Sequence, residues 1–534
     1  MTPFDRHGQF CLAAPADGFR RGAVRSAGAT VLAQTLQLAI QMIATVILAR
    51  LLGPADFGLV AMVTTVSLLL MNFGLNGFTE VVLQREDIDH ALISNLFWIN
   101  VAAGLGLTIG FATAGPFLAR MYGDPRVAPV AAAMSVTILL TSISVQHLAL
   151  LKRAMRFSVV SANDVIARAI SVAVSIVLGW AAWGYWALVA GAIALPLSTC
   201  AGAWLMCRWT PGLPRRREGT GPAVRFALST FARFTANYFT WNLDNLLVGW
   251  RFGPAPLGFY KKAYDLFVLP ANQLSAPLTS VAVSALSRLK RDLDRHERYF
   301  LGALSILAFV GMGLGAALTL VGKDLILMLL GPGWEESGRI FRFFGPGIGM
   351  MLLYFTHGWI HLSIGRADRW CRWGIVEFTV TGLLFLLGLR WGPVGIAVAW
   401  VASFWVLTLP ALWFARRPTG LPIGPVVGAI WKYVVASALA GAVCMVITPG
   451  LPLPDAMTSL AAVGRTAIVS VLFGTLYVGV VIVVHGGLAP LHQIVRLLQD
   501  IVPSSMFSRP PATICSIAPR ADVTRTPSAV RQAN

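Results

Sequence analysis

Apolar runs of membrane-crossing length recur along this chain, separated by short polar stretches. A helix needs about 20 apolar residues to cross the hydrocarbon of a bilayer. Fourteen runs meet that need, near 29–49, 58–78, 92–114, 127–150, 159–180, 184–206, 227–249, 259–287, 299–321, 339–362, 370–389, 393–414, 430–448 and 461–484. The pattern predicts an all-α polytopic membrane protein with about 14 transmembrane helices. A polar, basic lead occupies 1–25. The tail, 488–534, opens on a short amphipathic stretch, Leu491 to Ile501, and becomes Pro/Ser/Arg-rich, the composition of a disordered segment.

One stretch breaks the apolar pattern. Phe231–Gly258 carries Arg233, Asn237, Thr240, Asn242, Asp244 and Asn245. At about 100° per residue, Arg233, Asn237, Thr240 and Asp244 fall within roughly 60° of one another. A charge at the bilayer centre costs about 2.5–3.5 kcal/mol on insertion scales, so this stripe is expected to face protein or water. The first run has a comparable face: Thr30, Gln34, Gln37, Gln41 and Thr45.

Composition supports the membrane reading: 56% of the residues are hydrophobic and only 12% charged, against about 25% charged in a soluble domain. The net charge of +19 fits basic loops at an anionic membrane surface better than nucleic-acid binding, because Lys and Arg sit in short loops between apolar runs. With both termini placed in the cytoplasm, 29 of the 42 Lys and Arg fall on that side and 11 on the other, with Arg168 and Arg233 inside runs. That bias predicts an even number of crossings. Cys11–Ala16 is too short and interrupted for a secretory h-region, so the first run is expected to stay as a membrane helix. The six cysteines show no metal-ligand spacing and read as packing residues.

The chain repeats itself. Gly53-Pro54-Ala55-Asp56-Phe57-Gly58 recurs 200 positions on as Gly253-Pro254-Ala255-Pro256-Leu257-Gly258, and Trp183-Gly184 recurs 208 positions on as Trp391-Gly392. The repeat predicts two parallel six-helix lobes, 26–210 and 211–417 (the second with its linker), followed by two extra helices at 418–487. Parallel repeats are related by an axis along the membrane normal, with a cavity expected between them near the midplane. The first helix of each lobe then offers a polar face to that cavity. Hydrogen bonding within each lobe is the competing reading.

These stretches carry a family resemblance. Leu52–Met62 (LGPADFGLVAM), Asn95–Asn100 (NLFWIN), Met121–Pro125 (MYGDP), Lys152–Phe157 (KRAMRF), Trp183–Val189 (WGYWALV), Asn242–Gly249 (NLDNLLVG) and the Leu257–Tyr260 turn occur in order across about 30–415. The chain resembles the polysaccharide-transporter branch of the multidrug/oligosaccharidyl-lipid/polysaccharide flippase superfamily. The resemblance implies an inner-membrane flippase working by alternating access. Its cargo would be undecaprenyl-pyrophosphate-linked oligosaccharide repeat units, carried to the periplasmic leaflet for exopolysaccharide or lipopolysaccharide biosynthesis. It implies a multi-pass monomer whose partners are the lipid-linked substrate, membrane lipids and polysaccharide polymerase or assembly proteins. No cofactor, metal or nucleic acid is called for.

A pyrophosphate calls for cations, and Arg233 offers a forked, always-charged donor. Asn237, Gln34, Gln37, Gln41 and Trp241 offer amides and a stacking face for sugar. Asp244 is a candidate for shaping the cavity or carrying a coupling ion, and Glu377, with no sequence-local partner, for proton coupling. Asp164 and Arg168, at i and i+4, are expected to pair. His357 and His361 share a helical face but lack a third ligand. Lys261 and Lys262 read as surface anchors near a helix end. There is no Walker loop, and the longest external loop, 322–338, is short for a catalytic domain, so a non-enzyme is expected. Drug efflux on the same fold, a glycan polymerase or ligase, and a non-transporting scaffold are the alternatives.

Overall fold

Apolar runs with few breakers fold as long helices joined by tight turns. The computed structural model describes residues 4, 10, 19–85, 88–214, 220–450 and 459–488, without the side chains of 19–27, 74–76, 232, 233, 236, 237, 276, 277, 367, 459 and 460. The described helices are α1 (Phe19–Leu51), α2 (Pro54–Gln84), α3 (His90–Tyr122), α4 (Val127–Arg153), α5 (Phe157–Trp180), α6 (Tyr185–Cys207), α7 (Thr220–Phe252), α8 (Pro254–Arg288), α9 (Leu293–Leu330), α10 (Glu335–Phe344), α11 (Gly347–Ser363), α12 (Ala367–Gly388), α13 (Gly392–Arg416), α14 (Gly424–Ile447) and α15 (Ser459–His485). Among the described residues there is no β-strand, only isolated bridge residues, Phe4 paired with Phe10 and Asp89. Eleven segments are long and apolar enough to cross a membrane, and one of them, Asp368–Thr419, holds both α12 and α13. The polar α7 and the 17-residue α11 are not among the eleven.

Two expectations change here. The tenth apolar run is two helices, α10 and α11, parted at Gly345-Pro346. Proline lacks the N–H for a continuous helix. A Cβ on Gly345 would also come within 2.2 Å of Thr319 Oγ1. The helical start at Phe19 lies inside the stretch read as a lead. Phe4 packs edge-on against His90 (5.4 Å), and Arg153 lies over Phe10 (5.4 Å). The tail, including the stretch at 491–501, lies outside the described residues.

The helices to Val484 form one compact unit, separate from a second that begins at His485. Helix pairing inside the first unit recurs. In the first half α1 packs on α5, α2 on α4 and α6, α3 on α4, α4 on α6, and α5 on α6. In the second, α7 packs on α12, α8 on α11 and α13, α9 on α10 and α11, α11 on α13, and α12 on α13. This is the same scheme with α10 and α11 together in the place of α4. α14 and α15 join α9: α14 packs along it, while Tyr477 donates to the Phe309 carbonyl (2.8 Å) and Arg465 pairs with Asp324 (3.0 Å).

The turns after α1 and α7 define one end of the bundle, called here the Gly-Pro face; the opposite end is the basic face. In the first Gly-Pro turn, Asp56 Oδ2 accepts from the Gly53 amide (3.0 Å), which caps α2. Pro256 replaces that carboxylate in the second copy, and Gly253 takes a φ of 85° instead. The two copies also touch each other. A Cβ on Gly58 would lie 1.6 Å from the Pro254 carbonyl oxygen, and one on Gly258 would lie 1.8 Å from that of Pro54. Only glycine lets the α2 and α8 backbones approach so closely.

On the same face the α3–α4 turn is held by Asp124, whose carboxylate accepts from the Arg126 amide (3.0 Å) and from its guanidinium (2.8 and 3.0 Å). The guanidinium bonds hold the Asp124 carboxyl below its ordinary value of 3.8. A depressed carboxyl adds stability above its unfolded value and loses it as pH falls through the folded one. Asp124→Ala should therefore cost about 1 kcal/mol at neutral pH. Thermal unfolding in micelles should show that deficit at pH 7 and a shrinking one as pH drops below 3.8.

Symmetry between the halves fails most at one pair of helices. α2 packs along α7: Gly77 meets Ala227, Phe73 meets Phe231 (5.0 Å, edge-on), and Tyr238 donates to the Thr65 carbonyl (2.6 Å). The repeat-related pair, α1 and α8, has no comparable packing; α1 instead lies on α5 and touches α9.

Candidate functional site

The charged residues that cluster between the halves come from α8. Its spacing puts Lys261 and Asp265 one turn apart, and Lys261 Nζ reaches Asp265 Oδ1 at 2.6 Å. The adjacent Lys262 turns to the first half, with Nζ 4.0 Å from the centre of the Phe57 ring on α2. At 1.5 Å per residue, Lys261 and Asp265 lie about 10 and 16 Å in from Pro254, well inside the bundle. The pair keeps 31% and 49% of its side-chain surface accessible at that depth, on a helix whose other residues are largely apolar. Gln41 on α1 and Arg168 on α5 lie at a similar depth, about 15 and 18 Å from their own helix ends at this face. Arg168 Nη1 donates to Gln41 Oε1 (3.4 Å). Asp164, one turn before it, acts on Arg168 through its charge, without an ion pair at bonding distance.

The Gly-Pro face is closed above this level. Trp334, after α9, donates from Nε1 to the Ala49 carbonyl (2.9 Å) and packs edge-on against Phe57 (5.5 Å). Arg50 donates to the Met328 carbonyl (3.3 Å). Each contact joins α1 or α2 to the region around α9.

The polar stripe of α7 divides. The side chains of Arg233 and Asn237 lie outside the described residues. Asp244 is completely buried, and its Oδ2 accepts from Tyr260 on α8 (2.7 Å) and from Trp400 Nε1 on α13 (2.8 Å). It joins three helices near the Gly-Pro face and borders no open space. Trp241 lies beside Trp400 (5.4 Å) and Phe355 (5.8 Å), in the aromatic packing of the second half. On α1, Gln34 and Gln41 are exposed and Gln37 is half-buried.

Glu377 is 9% exposed on α12. It lies beside the Tyr354 hydroxyl on α11, which accepts from Trp373 Nε1 (2.9 Å). This partner is far away in sequence. His357 and His361 are buried in the same region, with His357 Nδ1 2.5 Å from the Tyr354 carbonyl. Among the described residues no group of three or more His, Cys, Asp or Glu side chains is placed to hold a metal ion. Two apolar grooves of about 310 and 290 Å³ lie elsewhere, between α12 and α13 and between α9, α13 and α14.

Sequence reasoning placed Lys261 and Lys262 at the surface and passed over Asp265. The i, i+4 spacing of Lys261 and Asp265 was a visible signal, because an ion pair on an apolar helix marks a polar interior rather than a surface.

A model of the family described as polysaccharide biosynthesis protein matches residues 47–339. The succinoglycan biosynthesis transport protein ExoT of Rhizobium meliloti is 21% identical over 85% of this chain and 92% of that protein. The teichuronic acid biosynthesis protein TuaB of Bacillus subtilis is 23% identical over 75% and 82%. The lipopolysaccharide biosynthesis protein WzxC of Escherichia coli is 24% identical over 59% and 64%. Among solved structures, the lipid II flippase MurJ in an inward closed conformation superposes with a TM-score of 0.68 at 12% identity, over 85% of this chain and 98% of that one. An inward-facing multidrug resistance MATE transporter superposes at 0.59, also at 12% identity, over 73% and 98%.

Proposed function

We propose, from the premise that the chain belongs to the polysaccharide biosynthesis protein family, that it is a flippase for lipid-linked oligosaccharides. It would move undecaprenyl-pyrophosphate-linked repeat units from the cytoplasmic to the periplasmic leaflet of a bacterial inner membrane. The reading takes fourteen crossings, two six-helix lobes and cytoplasmic termini, with the basic face in the cytoplasm as the positive-inside rule requires. The likeness to the transport protein ExoT and the lipopolysaccharide biosynthesis protein WzxC, and the MurJ-like fold, support it. The released repeat unit would pass to a polysaccharide polymerase.

One observation carries the reading: Lys261, Lys262 and Asp265 lie about 10–16 Å below a closed face, Lys262 touching the other half and the Lys261–Asp265 pair still partly accessible, as a polar cleft between the halves would require. A diphosphate entering that space meets ammonium groups in surroundings of low dielectric, where charge-assisted bonds are strong. The seam between α1 and α8 would pass the polyprenyl chain, which stays in lipid while the headgroup and sugar cross. Rocking of the halves then opens the space to the other side. Drug efflux on the MATE-like fold fits less well, because the lysines outnumber the aspartate and repel organic cations.

The test is translocation by purified protein in liposomes, using a fluorescent short-chain lipid-linked oligosaccharide and an impermeant quencher. Wild-type protein should move the probe. Lys261→Gln/Lys262→Gln should slow it about 100-fold, the worth of two charge-assisted contacts at about 1.5 kcal/mol each. Silence of the wild type, or a normal rate in the double variant, would overturn the assignment.

A further inference from the structure

Lys262 occupies two roles that exclude each other in time. Its ammonium sits 4.0 Å from the centre of the Phe57 ring, on the far side of the seam between the halves. Phe57 directly precedes Gly58, and Lys262 is one turn on from Gly258, so the contact adjoins the reciprocal backbone approach that closes the Gly-Pro face. A second face-closing residue meets the same ring, since Trp334 packs against Phe57 and donates to Ala49. Lys261 is already engaged by Asp265 at 2.6 Å. Among the described residues Lys262 makes no hydrogen-bonded ion pair; the Phe57 ring and the more distant charge of Asp265 hold it, so its ammonium is the one more easily drawn off by an anion.

We propose that the Phe57 ring is a latch for Lys262: a ligand diphosphate takes the ammonium from the ring, and the loss of that contact frees the Gly-Pro face to open. This rests on the reading of Lys262 as a diphosphate contact and adds how occupancy is reported to the gate. A phosphate oxygen gives a charge-assisted hydrogen bond where the ring gives a quadrupole attraction. The exchange is downhill only when the ligand is present. An empty protein stays shut, and a loaded one loses a tie between its halves. Differential affinity for the open state is what a ligand needs in order to shift such an equilibrium.

The experiment uses full-length protein in nanodiscs with the six native cysteines replaced by alanine. Spin labels go on Trp183→Cys and Trp391→Cys, since these repeat-related turn residues are 58% and 66% exposed on the Gly-Pro face, one in each half. Farnesyl diphosphate serves as the short polyprenyl diphosphate, with binding followed by radiolabel. In the wild-type background the label distance should lengthen on adding the probe. Phe57→Leu keeps an apolar side chain but removes the ring. It should lengthen the distance without ligand and tighten probe binding about fivefold, because the ligand no longer competes with the ring. Phe57→Tyr should restore wild-type behaviour, and Lys262→Gln should lose the response together with most binding. Wild-type distances and affinity in Phe57→Leu, or a Phe57→Tyr that behaves like Phe57→Leu, overturn the latch. Undiminished probe binding in Lys262→Gln instead overturns the site itself.

Discussion

Alanine at Gly58 or at Gly258 is expected to abolish polymer export while alanine at Gly53 leaves it intact. The added methyl would lie 1.6 Å from the Pro254 carbonyl oxygen in the first case and 1.8 Å from that of Pro54 in the second. Ordinary contact needs more than 3 Å, and both obstacles are backbone, so rotamer changes give no relief. The α2 and α8 backbones must separate, and the Trp334–Ala49 and Arg50–Met328 hydrogen bonds nearby open with them. Overpacking of this kind costs about 1–3 kcal/mol, occasionally more, and here the cost falls on the state closed at the Gly-Pro face. Gly53 belongs to the same motif, but its φ is −81° and a Cβ there would meet only Asp56 Oδ2 at 3.7 Å. Export can be scored by complementation in a strain lacking its own flippase, with protein amount checked in membranes. Normal export by Gly58→Ala would mean that working protein never brings these helices so close.

Asp244→Ala should lower the amount of folded protein several-fold, and Asp244→Asn should not. The carboxylate is fully buried and accepts from both Tyr260 and Trp400. Removing it strands a hydroxyl and an indole N–H among α7, α8 and α13. Hydrogen bonds between membrane helices are worth about 0.6–2 kcal/mol each, so the pair contributes about 1–4 kcal/mol. An asparagine oxygen can accept the same two donors, so the amide preserves the joint while removing the charge. Detergent-resistant, monodisperse protein by fluorescence size-exclusion chromatography reads the first effect, and transport per folded molecule reads the second. If Asp244→Asn folds normally but fails to transport, the charge itself has a part in coupling. If it transports normally, the residue is a fastener.

The membrane class and the long helices were legible because the apolar runs are long and their breakers few. The repeat was legible from two short motifs, and the recurring helix pairings follow its order. That the Gly-Pro copies touch was not legible, since contact between repeats is a non-local matter that periodicity does not encode. The break at Gly345-Pro346 had its breakers in plain view, but the apolar residues on either side read as one run. The α7 stripe was identifiable by composition, whereas its direction depended on which helices surround it; Asp244 turned out to face Tyr260 and Trp400. Glu377 had no sequence-local partner because its partner, Tyr354, comes from a different helix. Lys261 and Lys262 were assigned to the surface on distance from a helix end alone, and about 10 Å of depth separates that reading from the one above.

A molecule with perfect twofold symmetry would have two identical mouths, one at each seam between the halves. Two tailed lipids could then enter at once and block each other. Here α7 lies along α2, while α1 makes no comparable packing on α8 among the described residues. The flank between α2 and α7 is packed and the one between α1 and α8 is not. On the flippase reading, the space between the halves would admit a single lipid, always from the same flank, and any enzyme delivering or collecting it would have to work on that flank. A small amphiphile wedged in that one seam would stop traffic in both directions.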